Sequence, residues 1–258
     1  MGIDFHNKEN KHAYTSRSAD HSWEEAIKKL VPIDTITDAV DIGCGGGIYS
    51  KALADLGVPF VTGVDFSEAI LEGAGENCKD YANISFKQGN AVETGLESKS
   101  FDLLLERALI HHLQDLDACF KEAYRLLKPA GYYIVQDRTP EDCLLKGDNS
   151  HIRGCFFELY PKLIEKETNR RHTSHSVTEG LKGAGFKDIK EVKLWEVRNV
   201  YKNKQKLLQD LRERTGRSIL HELNDQELEV LIHHLDESIL TESDIVEKDR
   251  WTIWVAIK

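Results

Sequence analysis

The stretch Val40–Gly47 reads VDIGCGGG and decides how the rest of the chain is interpreted. The apolar residues that lead into it predict a short buried strand, and the apolar spacing after it predicts a helix over 48–56. Gly43, Gly45 and Gly47 let the backbone turn sharply and approach a ligand with no Cβ in the way. The stretch therefore predicts a strand, a glycine-rich turn and the start of a helix, as in folds that bind nucleoside-type cofactors.

Five predicted strands alternate with helices over roughly the next hundred residues. This alternation is typical of a parallel sheet with helices on both faces. In such sheets the loops at the carboxyl ends of the strands gather on one edge, where ligands bind. The predicted strands cover residues 39–42, 60–64, 84–87, 101–105 and 132–135.

Two carboxylates beside the glycine turn narrow the choice of cofactor. Asp65 ends the second predicted strand, 22 residues after Gly43, where a carboxylate can accept both hydroxyls of a ribose. The dinucleotide pattern needs a third glycine where Ile48 stands. Asp41, inside the first strand, would repel a pyrophosphate and suits an ammonium or sulfonium group. The prediction is a nucleoside cofactor that carries positive charge.

At this point the chain resembles the class I S-adenosylmethionine-dependent methyltransferases, over about residues 38–138. Three later segments share the family's pattern: Gly89–Ala91 (GNA), Ser100–Leu113 (SFDLLLERALIHHL) and Leu126–Tyr132 (LLKPAGY). Two positions depart from it. Asn90 replaces the usual Asp and still leaves an acceptor, and Ala130 replaces the first glycine of the turn before strand five.

The resemblance implies an α/β fold with a doubly wound, mostly parallel seven-stranded sheet in the order 3-2-1-4-5-7-6. Strand six is expected at about 188–198 and strand seven, antiparallel, at 251–257. We expect an N-terminal flap and helix over 1–31 and a methyltransferase domain over 32–258. The helical residues 200–247 between the last two strands are interpreted as a lid over the substrate end of the site.

The expected site residues follow from the same resemblance. Methyl transfer needs a base only when the nucleophile is protonated, and His is the natural base near neutral pH. His111 and His112, just past strand four, are the candidates, with His111 preferred. Tyr14 would present its ring to the sulfonium, and Asn90 would meet the adenine amino group. The expected cofactor-binding set is Arg17, Asp41, Gly43, Gly45, Gly47, Asp65, Phe66, Asn90, Ala91 and Arg107.

Composition restricts the partners of this 258-residue chain. Its 34 Lys and Arg against 44 Asp and Glu give a net charge of −10, which argues against nucleic acid and against an anionic membrane. Five scattered cysteines without a CxxC pair, together with His pairs that lack companions, predict no disulfide framework and no metal site. No apolar run approaches the ~20 residues of a membrane span. We expect a cytoplasmic protein, a monomer or homodimer.

One local exception is the basic run over 202–217, which includes Lys204, Arg212, Arg214 and Arg217. It is interpreted as a solvated helix face, with attraction of an anionic substrate as the minority interpretation.

The predicted function is methyl transfer from S-adenosylmethionine to a small-molecule acceptor. A protein that binds S-adenosylmethionine without catalysis remains an alternative, because sequence separates the two poorly. A nucleotide-dependent oxidoreductase is a further alternative, opposed by Asp41 and by the missing third glycine. The acceptor and the atom methylated are left open.

Overall fold

The computed structural model describes residues 18–258 in two compact units. The sheet unit contains residues 18–137, 172–194 and 252–258, and the inserted unit contains residues 138–171 and 195–251. Tyr14 and Arg17, with the expected flap, lie outside the described residues, so their roles stay predictions.

The sheet has seven strands in the order β3-β2-β1-β4-β5-β7-β6, as predicted. Strands β1 to β5 pair in parallel, and β7 runs antiparallel to β5 through pairs such as Ile134 with Val255. The strands are β1 (Asp38–Ile42), β2 (Phe60–Asp65), β3 (Ile84–Gln88), β4 (Phe101–Arg107), β5 (Leu127–Asp137), β6 (Lys187–Asn203) and β7 (Ser243–Ile257). The last two are longer than expected, and both continue from one unit into the other.

Five helices belong to the sheet unit, and side-chain caps fix where four of them begin. The helices are α1 (His21–Leu30), α2 (Ile48–Asp55), α3 (Glu68–Asn77), α4 (Leu116–Leu126) and α8 (Ser174–Gly183). Ser67 caps α3, because its hydroxyl accepts the Ile70 N–H at 3.3 Å. Asp20, Asp115 and Thr173 cap α1, α4 and α8 in the same way. These caps set which residues face the sheet.

Both faces of the sheet are covered by apolar side chains, because neighbouring residues of a strand point to opposite faces. Val40, Leu104 and Tyr133 belong to one buried cluster, whereas Ala39 and Leu103 belong to the other. The buried strands hold the carboxyl edge of the sheet rigid, and that edge carries the candidate site.

The buried carboxyl of Glu106 lies inside the sheet unit. The Tyr133 hydroxyl donates to its Oε2 at 2.6 Å, and the Cys119 thiol donates to Oε1 at 3.2 Å. Burial raises the pKa of Glu106 to about 7, although both donors act in the opposite direction. Ionised Glu106 therefore costs folding free energy near neutral pH.

Replacing Glu106 with Gln is expected to stabilise the protein at alkaline pH. Because the folded-state pKa is raised, the contribution of Glu106 to stability is present below pH 4.5 and is lost as the pH rises through about 7. Glu106→Gln removes that loss, which is about 3 kcal/mol above pH 8. Urea denaturation of both proteins at pH 5.5 and pH 8.5 measures it.

Glu122→Gln is the matched control, with the opposite sign. Burial would raise the pKa of Glu122, but Arg125 and Thr94 together hold it below its ordinary value. Removing that carboxylate should destabilise the protein at both pH values. Equal stability of Glu106→Gln and the parent at pH 8.5 would show that the ionised Glu106 carboxylate does not destabilise the folded protein.

The inserted unit has five helices and its own apolar core, which includes Phe156, Leu207 and Leu231. The helices are α5 (Pro140–Cys143), α6 (Ile152–Leu159), α7 (Lys162–Thr168), α9 (Lys204–Arg212) and α10 (Asp225–Ser238). Helices α6 and α7 are separated at Pro161, which cannot continue a helix from the preceding turn.

The expected lid contains more strand at its ends than the apolar pattern suggested. Because β6 and β7 extend inward, the segment between them covers residues 204–242, and it belongs to the same compact unit as residues 138–171. Its role as a lid stays a prediction. Within residues 18–258, no helix combines the length and the apolar character needed to cross a membrane.

Candidate functional site

The glycine turn after β1 adopts backbone conformations that other residues rarely tolerate. Gly43, Gly45 and Gly47 have φ values of +73°, +52° and +75°. A Cβ at Gly43 would lie 2.9 Å from Leu109 Cδ1, and one at Gly47 would lie 2.7 Å from Cys78 Sγ. Both the backbone and the surrounding space therefore require glycine, as the sequence pattern predicted.

Asp65, at the end of β2, ties the glycine turn to the start of α3. Its Oδ2 accepts the Gly45 N–H at 3.1 Å and its Oδ1 accepts the Ser67 N–H at 3.0 Å. Burial raises the pKa of this carboxyl, and the backbone donors oppose the change. Each carboxylate oxygen retains a second lone pair, so hydroxyl donors can still bind.

Asp41, in β1, is a buried carboxylate with one close hydroxyl donor. The Ser50 hydroxyl donates to its Oδ2 at 2.7 Å. Burial raises the pKa of Asp41 to about 6, with Ser50 and Arg107 lowering it and Asp65 raising it. A cationic ligand group near Asp41 would offset the cost of keeping this charge in the interior.

Replacing Asp41 with Asn is expected to increase stability at neutral pH and to weaken cofactor binding. The raised folded-state pKa means that the contribution of Asp41 to stability is complete below pH 3.8 and is lost as the pH rises through about 6. Asp41→Asn should therefore be more stable by up to about 3 kcal/mol at pH 7.5. The difference should nearly vanish by pH 4.

Chemical denaturation at the two pH values and calorimetric titration with S-adenosylmethionine measure these effects. Asp38→Asn, at the other end of β1, is the control because its carboxylate is paired with Lys128 at 2.9 Å. A pH-independent difference between Asp41→Asn and the parent would contradict the raised pKa.

The loops after β2 and β3 carry the remaining predicted cofactor residues. Phe66 has 46% of its surface exposed. Asn90 is exposed, and its Oδ1 accepts the Val92 N–H at 3.1 Å, which forms a local turn. Ala91 is buried and packs in the core. The predicted roles of these three residues in cofactor binding stay predictions.

The end of β4 brings a cation over an aromatic ring. The Arg107 guanidinium carbon lies 4.1 Å from the centroid of the Tyr49 ring, and Tyr49 lies in α2, after the glycine turn. Ala108 follows with a φ of +52° and donates its N–H to the Gln136 carbonyl at 2.8 Å. This turn directs the chain away from β4 and into the segment that carries the two histidines.

His111 forms a close pair with Asp137, the last residue of β5. His111 Nδ1 lies 2.8 Å from Asp137 Oδ2, and the His111 backbone N–H donates to the same oxygen at 3.3 Å. The Asp137 side chain is 2% exposed, and that of His111 is 12% exposed. A carboxylate on Nδ1 holds the proton there and leaves Nε2 as the basic nitrogen.

A second histidine fixes the turn in which His111 lies. His172 Nε2 lies 3.0 Å from the carbonyl oxygens of both Ile110 and Leu113. The ring centroids of His111 and His112 are 4.0 Å apart, and His112 is exposed. The surroundings therefore distinguish the two candidates: His111 is paired with a buried carboxylate, whereas His112 is exposed.

The structure brings together residues that the sequence had treated separately. The Gly45 N–H donates a hydrogen bond to Asp65, and the Arg107 guanidinium lies over the ring of Tyr49. Asp137 was missed, although a polar residue at the carboxyl end of a strand was the signal that could have identified it. Cys44, inside the glycine turn, is buried, and that burial raises the pKa of its thiol well above the ordinary value.

The comparisons with known proteins agree with this geometry. Residues 40–135 match a family model described as a methyltransferase domain. This part of the chain is similar to the methyltransferase domains that use S-adenosylmethionine. A curated demethylmenaquinone methyltransferase of Staphylococcus aureus is 32% identical over 119 residues, 45% of this chain and 49% of that protein. The chain thus matches about half the length of this curated relative.

Two solved structures extend the likeness beyond the methyltransferase domain. One is a putative methyltransferase from an antibiotic biosynthesis pathway of Anabaena variabilis, with a TM-score of 0.70, 20% identity and coverage of 93% of this chain and 98% of that one. The other is phosphoethanolamine N-methyltransferase 2 of Haemonchus contortus, with a TM-score of 0.61, 22% identity and coverage of 99% and 60%. At these identities the likeness shows a shared fold.

Proposed function

We propose that the protein transfers a methyl group from S-adenosylmethionine to a small-molecule acceptor whose nucleophile carries a proton. The observation that carries this proposal is the His111–Asp137 pair, which is built on the same sheet as the glycine turn. The carboxyl ends of β1, β2, β4 and β5 lie on one edge because these strands are parallel. A general base and a cofactor-binding turn at the same edge of the sheet would lie close enough for a group to pass from the cofactor to the acceptor.

The residues around the glycine turn fit S-adenosylmethionine. The Cβ-free backbone of Gly43 and Gly45 lets a ligand approach closely, and Asp65 has lone pairs for ribose hydroxyls. Asp41 is a buried carboxylate that a ligand's positive charge would stabilise. Phe66, Asn90, Ala91 and Arg107 complete the proposed binding set. When bound, S-adenosylmethionine supplies an electrophilic methyl group on a sulfonium sulfur.

His111 then acts as the general base of the reaction. Asp137 holds the Nδ1 proton and orients the ring, so Nε2 accepts the proton that the acceptor's hydroxyl or ammonium group loses. His172 keeps the turn in place by binding the carbonyls of Ile110 and Leu113. The remaining contribution of the protein is alignment of the nucleophile and exclusion of water.

The proposal retains the other expectations from the sequence. They are a cytoplasmic location, a monomeric or homodimeric state, Tyr14 and Arg17 at the cofactor, His112 as the lesser candidate for the base, and residues 200–247 as a lid.

Two measurements test the proposal. Calorimetric titration of the full chain with S-adenosylmethionine and with S-adenosylhomocysteine should show binding at micromolar Kd. A metabolite pool incubated with methyl-labelled cofactor should then yield a labelled small molecule. No binding of either compound would overturn the cofactor assignment. Binding without label transfer to any pool would instead favour the non-catalytic binding protein.

A further inference from the structure

A group of arginines in the inserted unit surrounds two buried carboxylates. We call Arg138, Arg153, Arg170 and Arg171 the arginine cluster. Arg138 Nη1 and Arg153 Nε each lie 3.3 Å from a carboxylate oxygen of Asp249. The others bind Glu167: Arg171 Nη2 lies 2.8 Å from its Oε1, and Arg170 contacts its Oε2. Arg153 also approaches Glu167, with Nη1 3.7 Å from Oε1.

Arg153 Nη1 is a buried donor beside Asp249. It is inaccessible to solvent and has no hydrogen-bond partner among residues 18–258. The Arg153 side chain is 6% exposed and that of His151 is 1% exposed. Both side chains approach the same Asp249 oxygen, at 3.3 Å and 4.0 Å. A buried donor left unbonded costs free energy, so this position favours an acceptor from outside the chain.

The electrostatics of the cluster favour an anion as that acceptor. Burial and the nearby Arg153 together lower the pKa of Arg138 to about 10, and Asp249 opposes them only in part. Burial alone would raise the pKa of Asp249, yet Arg153 and Arg138 hold it well below its ordinary range. The two carboxylates stay ionised, and the arginines around them still repel one another.

The basic run of the predicted lid is a poorer anion site. Lys204 is paired with Glu242 at 2.8 Å, Arg212 with Glu229 at 3.0 Å and Arg214 with Asp225 at 2.9 Å. These three carboxylates are more than half exposed, and ion pairs at the surface contribute little. Arg217, the last cation of the run, is instead buried and pairs with Asp210 at 2.6 Å and Glu247 at 2.7 Å, so the predicted solvated face is wrong at this residue. Because these four cations are already paired, the buried cluster is the better candidate for an anion site.

We propose that the arginine cluster binds an oxyanion from outside the chain, a carboxylate or a phosphate group. Arginine suits this task because its planar fork matches the oxygens of both groups. Arg170 is 30% exposed and gives the cluster contact with the surface. The cluster and both of its carboxylates belong to the inserted unit, so this inference goes beyond the proposed function of the sheet unit.

Inorganic phosphate and acetate are the probes, titrated into the full chain with chloride at matched ionic strength as the reference. We expect at least one of the two to raise Tm and to bind with a millimolar or lower Kd. Whichever probe binds more tightly identifies the oxyanion. Phosphate and acetate effects no larger than that of chloride would overturn the proposal and assign Arg153 Nη1 to a bound water.

Arg153→Gln should weaken binding of the effective probe at least tenfold, because it removes both the charge and the unbonded Nη1. This variant also leaves Asp249 and Glu167 with fewer partners, which can prevent folding, so a second variant is needed. Arg170→Gln changes a partly exposed residue and should weaken probe binding at least threefold. Arg212→Gln, from the exposed pair with Glu229, is the matched control and should bind the probe as the parent does. Unchanged probe binding in folded Arg170→Gln and Arg153→Gln would overturn the proposal.

Titration with S-adenosylmethionine separates this proposal from the proposed function. Cofactor affinity should be the same in the parent, Arg170→Gln and Arg212→Gln. Loss of probe binding with intact cofactor binding supports the oxyanion site, whereas cofactor binding without any oxyanion effect overturns the site and leaves methyl transfer standing.

Discussion

Replacing His111 with Gln should lower kcat for methyl transfer by about 10²–10⁴-fold and leave cofactor affinity nearly unchanged. Gln cannot accept the proton of the acceptor, whereas the glycine turn and Asp65 are untouched. The measurement is single-turnover transfer of labelled methyl to the acceptor found in the metabolite screen, beside calorimetry with S-adenosylmethionine. Full activity in folded His111→Gln protein would show that no proton is removed by this residue.

Two further variants separate the base from the residue that orients it. His112→Gln is the matched control, because His112 is exposed and lies beside His111, and it should lower kcat less than tenfold. Asp137→Asn should lower kcat and spare KM, because an amide donor facing Nδ1 favours the tautomer in which Nε2 already carries the proton. Asp137→Glu should restore part of the activity, which a purely structural role would not predict.

Replacing Asp65 with Ala should weaken S-adenosylmethionine binding by about 2–4 kcal/mol, which corresponds to about 30- to 1000-fold in Kd. The variant leaves ribose hydroxyls without their acceptor. It also leaves the Gly45 N–H without the bond that holds the glycine turn to β2. Calorimetry of the folded variant measures the loss, with circular dichroism to confirm that the sheet persists.

Asp55→Ala is the control for Asp65→Ala. Asp55 is the last residue of α2, and its carboxylate accepts a hydrogen bond from the exposed Tyr81 hydroxyl. Its cofactor affinity should match that of the parent. Asp65→Asn separates the two roles of the carboxylate: it keeps one acceptor for the Gly45 N–H and should lose less than the Ala variant. Unchanged Kd in folded Asp65→Ala would place the ribose elsewhere.

The sequence was informative where chemistry is local. The positive φ values at Gly43 and Gly47 are properties of a single turn, so three glycines after a buried strand were enough to predict it. Ser67 caps α3 through a contact three residues away, which is also a local pattern. The sheet order came from the resemblance of the motifs, and the structure confirmed it.

The tertiary structure decided what depends on residues far apart in the chain. His111 and Asp137 lie in different segments, and only the parallel pairing of β4 with β5 brings them to one edge. In the arginine cluster, residues between positions 138 and 171 contact Asp249 and Glu167. No sequence pattern predicts that residues so far from Asp249 in the chain lie beside it. Turn and cap patterns depend on a few neighbouring residues, whereas these contacts depend on which strands and helices pack together. Sequence alone therefore predicted the glycine turn and the strand that precedes it, and the fold supplied the Asp137 partner of His111 and the arginine cluster.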